Sequence, residues 1–282
     1  MAGAGPGDGR IVLVGTPLGN LGDMAPRAAE ALGAADLLAC EDTRRTGRLL
    51  QHLGIRKPTL VRMDRHTEAD VAPRLVEEAR SGRVVAVVAD AGMPGLSDPG
   101  ALLVRAADGA GVTVEAVPGP FAGAVAASLS GLLDQAGRFV FEGFLPRKGA
   151  DRERALEEIA GGPRPVVLYE SPHRIGDTLD DLRAACGPDR RVAVCREMTK
   201  LHEETFRGTL AEAAAHVAAG GARGEFVLVV EAAPPPSPAS DEEILAALRR
   251  RLATGASRRD ASAAVADELG VAPNRVKRLA TG

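Results

Sequence analysis

The sequence predicts an α/β protein: two α/β domains in series, followed by a small helical tail. Three observations carry this. Short apolar runs rich in Val, Leu and Ile recur along the chain, at residues 11–15, 84–89, 165–170 and 225–231. Between them lie amphipathic stretches of helical period, and that alternation marks a largely parallel sheet buried on both faces. The pattern lapses near Gly137 and then starts again, and 282 residues is a natural length for two domains and an appendage.

In chain order, residues 11–15 read as a strand and 23–32 as a helix with Pro26 near its first turn, where a missing N–H is tolerated. Residues 36–40 form a strand, 43–53 a helix closed by Gly54, and 58–63 a further strand. A helix over 68–81 precedes the fully apolar strand 84–89. The next helix, 98–109, takes Ser97 or Asp98 as its cap and Pro99 in its first turn. A strand at 112–117 and a helix of small residues at 121–132 end the first domain.

The second domain reads as strand 138–144, helix 151–160, strand 165–170 and helix 172–185. Runs 191–198 and 203–208 follow too closely for a crossover helix and are expected to pair antiparallel. Helix 210–219 and strand 225–231 finish it. The run AAPPPSPAS at 232–240 has linker composition. Helices at 241–252, 257–269 and 273–279 then carry Arg249, Arg250, Arg251, Arg258, Arg259, Lys277 and Arg278, as a solvated cap or an RNA contact. The expected division is a flexible tail 1–9, α/β domains 10–134 and 135–231, a linker 232–240 and a small helical domain 241–282.

Composition narrows the class. With six Phe, one Tyr and no Trp, the core must be built from Ala, Val and Leu. A net charge of −3 lacks the basic excess of most nucleic-acid binders, although it hides local clusters. Cys40, Cys186 and Cys195 are widely spaced, and His52, His202 and His216 have no metal-ligand spacing, so neither a disulfide frame nor a metal site is expected. No leader pattern and no long apolar run is present, which points to a soluble, cytoplasmic protein.

Four glycine-bearing segments compete as ligand loops. GAGPGD at 3–8 precedes the first strand, whereas a phosphate-type loop must follow a strand and open a helix, so it is assigned to the tail. Val14-Gly15-Thr16-Pro17-Leu18-Gly19-Asn20 leaves the first strand and is correctly placed. The segment DAGMPGLSDPG at 90–100 follows the most apolar strand, and its three glycines and two prolines shape a rigid turn with many exposed backbone groups. VPGPFA at 117–122 ends another strand, on the side of the sheet where open α/β folds bind ligands.

In order along the chain stand GTPLGNLGD, ADLLACEDTRRT, VADAGMPGLSDPG, VPGP, FVFEGFLPRK, LYESPHRI, REMTKLHEETFRG and GEFVLVVE. Together they resemble the ribosomal RNA small-subunit 2′-O-methyltransferase I family, within the tetrapyrrole-methylase fold, from about Arg10 to Glu231. CEDTR, DAG-x-P-x-x-SDPG, GFLPRK and YESPHR are specific to this branch, whereas porphyrin and corrin relatives carry a GDP-type loop. The chain departs from the family pattern at residues 63–68, including Asp64 and Arg65, at Met93 where Thr is common, and at Phe121 where Ser is common.

The resemblance implies S-adenosylmethionine bound in a cleft between the two α/β domains. Its walls would be Leu18, Gly92, Met93, Leu96, Gly119, Phe121 and Ala122 from the first domain. Leu168, Tyr169, Arg196, Gly224, Glu225 and Phe226 would come from the second. The implied reaction is 2′-O-methylation of a cytidine ribose in 16S ribosomal RNA of the small subunit, by a homodimer. Arg44, Arg45, Arg48, Arg147, Lys148, His173, Arg174 and Lys200 would meet the RNA. Aromatic scarcity weighs against a base-stacking single-strand reader and for recognition of a preformed ribosomal shape. A 2′-hydroxyl is a poor nucleophile, and Asp42, Glu170, Glu197 and Lys200 all stand as candidate bases. Two other classes share the fold: a porphyrin or corrin C-methyltransferase, and a ribosome-binding module without catalysis. The loop types and the basic GFLPRK and ESPHR segments weigh against the first, and the intact loops against the second.

Overall fold

The computed structural model describes residues 9–56, 58–235 and 239–281. The tail segment GAGPGD and part of the proposed linker, residues 236–238, lie outside the described residues. The chain forms two compact units, Met1–Ala233 and Pro234–Gly282.

The first unit holds two five-stranded sheets. One contains β1 (Arg10–Val14), β2 (Leu37–Cys40), β3 (Thr59–Arg62), β4 (Val84–Val87) and β5 (Thr113–Val117), in the order β3-β2-β4-β1-β5 and parallel throughout. Helices α1 (Pro26–Gly33), α2 (Thr43–His52), α3 (Glu68–Arg80) and α4 (Ala101–Gly109) make the crossovers. Successive strand residues serve opposite cores. Ile11, Leu37 and Val85 pack with Leu75 of α3 and Leu103 of α4, while Val12, Leu38 and Ala86 pack with Leu32 of α1 and Leu50 of α2. Burial on both faces is why these strands read as unbroken apolar runs.

The other sheet contains β6 (Val140–Phe144), β7 (Val166–Glu170), β8 (Arg191–Arg196), β9 (Glu204–Thr209) and β10 (Phe226–Val230), in the order β6-β7-β10-β8-β9. β6 and β7 are parallel and the remaining pairs antiparallel, including the expected β8–β9 hairpin. Helices α6 (Ala150–Gly161), α7 (Ile175–Cys186) and α8 (Leu210–Gly220) cover one face. The opposite face is covered by α5 (Ala122–Ser130), whose Ala126 and Ala127 pack against Val167, Ala193 and Val229. The small residues of α5 let the helix lie close to that sheet.

Several element starts differ from the sequence expectation for physical reasons. α1 begins at Pro26, after a 3₁₀ turn over Leu21–Asp23 capped by the Asn20 side chain. α7 begins at Ile175, because Pro172 and the two residues after it form a turn. The instructive case is α4, which starts at Ala101 and not at Asp98, so neither Ser97 nor Asp98 caps it. Its cap comes from another helix. Buried Glu68 of α3 accepts the Gly100, Leu102 and Leu103 N–H groups on one oxygen, at 2.8, 2.9 and 3.2 Å. This carboxylate sits on the helix's positive end and satisfies orphan donors there.

The second unit is a three-helix cluster of α9 (Asp241–Ala253), α10 (Arg258–Glu268) and α11 (Pro273–Thr281) around Ile244, Leu248, Val265 and Val276. Ser240 and Glu243 form a capping box at its start. Arg250 and Arg251 pair with Glu268, and Arg275 pairs with Asp241, so these cations are engaged within the unit. Among the described residues, no helix is long and apolar enough to cross a membrane.

Candidate active site

The site grows from the carboxyl ends of β1, β4 and β5, where glycines let three loops touch. Gly15 N–H donates to Val117 O at 3.0 Å, and a Cβ on Gly15 would lie 2.5 Å from Gly119 Cα. Thr16 and Gly92 exchange backbone hydrogen bonds of 2.9 and 3.0 Å. Met93 Sδ accepts the Gly119 N–H at 3.2 Å. The loop after Gly92 is folded on itself by Gly95 N–H to Pro99 O, at 3.0 Å. Gly92, Gly95 and Gly100 have φ of +81°, +83° and +141°, the region open to glycine, and Ser97 adopts +65° at a cost of roughly 1–2 kcal/mol. The rigid turn expected from this segment is thus held from both ends.

Facing these loops across the first unit are the ends of β7 and β10, and between them lies a cavity of about 300 Å³. Its walls combine backbone of Asp90, Ala91 and Gly92 with apolar side chains such as Leu18, Met93, Leu96 and Met198. Phe121, Phe144, Tyr169 and Phe226 line it too, although the whole chain has only six Phe and one Tyr. Phe121 meets Phe141 edge-on at 4.8 Å, and Phe141 and Phe144 meet Tyr169 at 5.0 and 5.7 Å. Tyr169 Oη accepts the Gly123 N–H at 3.2 Å, which ties β7 to α5. Burial pushes this phenol up to about 12, so it stays neutral.

Of the residues expected to hold a cofactor, Leu18, Gly92, Met93, Leu96, Phe121, Ala122, Tyr169, Glu225 and Phe226 line the cavity. Gly119, Leu168, Arg196 and Gly224 do not. Gly119 is packed behind the wall on Gly15. Leu168 alternates with Tyr169 along β7 and points into the opposite core. Arg196 lines a separate small recess, 3.5 Å from Glu204. Gly224, at φ +83°, lies under the Glu197 side chain.

A second cavity of about 440 Å³ shares Leu18, Arg45, Asp90, Ala91 and Glu225 with the first. Arg45 and Arg48 of α2 and Lys200 give it a cationic lining, with His52 beside them. Lys200 Nζ reaches Glu197 at 2.8 Å and Glu225 at 2.9 Å. Burial pulls its ammonium down, but these two carboxylates outweigh that and hold it above its ordinary value, as a cation. The hydrogen bond from Lys200 holds Glu197 below the usual carboxylate range.

The remaining expected groups are also engaged. Glu170 is buried, with Oε1 accepting the Ser171 N–H and Oε2 accepting the Thr178 hydroxyl, both at 2.8 Å. Arg174 stands 3.6 Å from Glu170 and donates to Leu145 O at 3.0 Å, clamping the YESPHR and GFLPRK segments together. Asp42 caps α2, and the Arg44 and Arg45 N–H groups hold its carboxyl low. Arg44, Arg147, Lys148 and His173 are exposed. Asp98, read from sequence as a helix cap, is instead a wall of the first cavity; its release by Glu68 is a tertiary event with no local signal. Among the described residues no group of three or more His, Cys, Asp or Glu is placed to hold a metal ion.

Comparison with known proteins agrees with this architecture. A model of the Tetrapyrrole (Corrin/Porphyrin) Methylases matches residues 10–214. The chain is 46% identical over 222 residues to Ribosomal RNA small subunit methyltransferase I of Synechocystis sp., covering 79% of this chain and 78% of that one. It is 44% identical over 225 residues to the Escherichia coli O157:H7 protein of the same name, covering 79% and 78%. Among solved structures, uroporphyrin-III-C-methyltransferase from Thermus thermophilus superposes with a TM-score of 0.56 at 25% identity, over 79% of this chain and 94% of that one. The methyltransferase CobJ gives 0.62 at 24% identity, over 80% and 95%.

Proposed function

Because the chain belongs to the ribosomal RNA small subunit methyltransferase I family of tetrapyrrole methylases, a family dependent on S-adenosylmethionine, we propose that it methylates the ribose 2′-hydroxyl of a cytidine in 16S ribosomal RNA. The substrate is the RNA within the small subunit, and the setting is the cytoplasm. The observation that carries this reading is the junction of two unlike cavities, one apolar and glycine-walled, the other cation-lined, through a common wall at Asp90 and Glu225. The first suits a nucleoside cofactor, and the second suits the phosphates beside an acceptor ribose.

The fit to the cofactor rests on the cavity itself. Gly92 presents bare backbone, since a Cβ there would stand 3.3 Å from Pro120 O and 3.4 Å from Leu18 Cδ2. Leu18, Met93, Phe121 and Tyr169 supply faces for an adenine, and the wall's carboxylates suit a cation. When bound, S-adenosylmethionine supplies an electrophilic methyl group. The chain's own residues orient and exclude water: the rigid 92–100 loop on one side and the clamped YESPHR turn on the other hold the acceptor in line, and such positioning is worth up to roughly 7–11 kcal/mol.

A tetrapyrrole C-methyltransferase would share the apolar cavity and would set its ring carboxylates on the α2 cations, whereas Arg147 and Lys148, exposed on the loop between β6 and α6 and outside both cavities, suit a longer polyanion such as RNA. Methyl transfer from labelled S-adenosylmethionine to purified small subunits, with identification of the modified nucleoside, tests the proposal. A 2′-O-methylcytidine is expected, and a target nucleotide carrying 2′-deoxyribose should accept no methyl. Methyl on the base of that deoxy substrate overturns the ribose reading. The working form is a homodimer, the commonest closed assembly; light scattering that finds only monomer at micromolar concentration removes it.

A further inference from the structure

We propose that the second unit is a helix-turn-helix module that grips the sugar–phosphate backbone of double-stranded RNA, through Arg249, Arg258, Arg259 and the outward face of α11. The inference rests on the reading that this chain acts on ribosomal RNA, and adds a second place where that RNA is held.

The motif is made by α10 and α11, which residues 269–272 join. Gly270 takes φ +59°, and the Val271 N–H reaches back to Ala266 O at 3.0 Å, so α10 stops and the chain turns at once. Arg275 N–H then bonds to Ala272 O at 2.9 Å, opening α11. Ala266, Val271 and Val276 are buried in the unit's core, and Leu279 packs on it. A four-residue turn with a glycine between two packed helices is the frame of a helix-turn-helix. In that motif the second helix is the one presented to nucleic acid, while the first crosses the backbone. Here Val276 faces inward from α11, and Asn274, Lys277 and Arg278 are exposed. Those three stand at i, i+3 and i+4, on one face of the helix.

Charge is arranged to match. Residues 234–282 carry eight Arg and Lys against six Asp and Glu, a net +2 in a chain of net −3. Several of the acids are used inside the unit. Glu268 holds Arg250 and Arg251, Asp241 holds Arg275, and Glu243 closes the capping box of α9. Among the described residues, Arg249, Arg258 and Arg259 form no ion pair, and all three are exposed. They lie near the end of α9 and in the first turn of α10, kept close by the short connection 254–257. The three-helix core is filled without them, so packing does not account for their presence.

The kind of nucleic acid follows from what the unit lacks. Residues 234–282 contain no Phe, Tyr or Trp, so they offer no platform on which unpaired bases could stack. In an A-form duplex the major groove is too deep and narrow for side chains to read. Contacts therefore fall on phosphates and 2′-hydroxyls, and recognition is by shape. Because the run at 232–240 ties this unit to the first, RNA gripped here meets the first unit in an intramolecular step.

The test uses the full chain and an RNA duplex of about 16 base pairs and arbitrary sequence, followed by fluorescence anisotropy. Replacing Arg249, Arg258 and Arg259 together by Gln should weaken duplex binding about tenfold or more. It should also flatten the dependence of log affinity on log salt by about 2 to 3. The double variant Lys277→Gln, Arg278→Gln should weaken the same binding on its own, so the outcome does not hang on one set of substitutions. Wild type should prefer the RNA duplex to a single strand of equal length and to the matching DNA duplex. S-adenosylhomocysteine affinity should stay within about twofold in both variants, and methylation of small subunits should lose kcat/KM through a raised KM. Wild-type duplex affinity and salt slope in both variants overturn the proposal, as does tighter binding of the single strand or of DNA. If wild type methylates small subunits while both variants keep its KM and duplex affinity, this inference alone fails. If wild type transfers no methyl to small subunits but the variants still lose the RNA duplex, the methylation reading fails and the RNA-gripping face stands.

Discussion

Gly119→Val is expected to lower stability by about 3 kcal/mol and to leave no measurable binding of S-adenosylhomocysteine, with Gly15→Val behaving the same way. A Cβ on Gly119 would lie 2.7 Å from Gly15 Cα and 2.8 Å from its carbonyl carbon. Neither neighbour has room to yield. Gly15 N–H is bonded to Val117 O, and the next residue, Thr16, is bridged to Gly92 on the cavity wall. Relief of the clash therefore pries β1 from β5 and displaces the loops that form the pocket. The sequence suggests that Gly92 and Gly119 both let backbone approach the ligand. The structure separates them: Gly92 lines the cavity, where a Cβ meets its neighbours only at 3.3 and 3.4 Å, while Gly119 supports it from behind. Gly92→Val should lose binding with a smaller stability cost, set by its positive φ. Urea unfolding with calorimetry reads both quantities. Wild-type midpoints for Gly15→Val and Gly119→Val contradict this account.

The triple variant Arg44→Ala, Arg147→Ala, Lys148→Ala is expected to weaken small-subunit binding by roughly tenfold or more. It should also flatten the dependence of log affinity on log salt by about 2 to 3, near one unit for each phosphate no longer neutralised. Arg44 opens α2 with its side chain 89% exposed, and the other two stand exposed on the loop between β6 and α6. None of them shapes the apolar cavity, so cofactor affinity should not move. Arg174 is left out deliberately. Its guanidinium holds the Leu145 and Pro146 carbonyls, so its removal would disturb the loop as well as the charge. An unchanged salt slope assigns the three residues to solvated surface.

Legibility in the sequence divides along a physical line. The parallel sheet is readable because two-sided burial writes itself as runs such as VVAVVA at 84–89, and the β8–β9 pair because its connection is short. Loop shape is readable where glycine and proline dictate backbone, as in residues 90–100. Strand order is not, since β3-β2-β4-β1-β5 depends on how crossovers pack and not on any one segment. Nor does the periodicity of α5 say which sheet it covers. Leu168 and Tyr169 must point to opposite faces, but which face meets the cavity is decided by α5 and by the first-sheet loops. Asp98 is the sharpest case. Ser97-Asp98-Pro99 reads locally as a helix start, yet Glu68, thirty residues earlier in the chain, takes the capping role. Long-range competition of this kind leaves no trace in a local pattern.

The aromatic wall has a spectroscopic consequence. With no tryptophan in the chain, Tyr169 is its sole strongly emitting side chain, and it sits on the cavity itself. Its phenol is neutral, bonded to Gly123 N–H, and edge-on to Phe141 and Phe144, a setting any entering purine must perturb. Intrinsic emission and near-ultraviolet dichroism of the unlabelled protein thus report from one residue at the place of interest, and ligand entry can be followed there without introducing a probe.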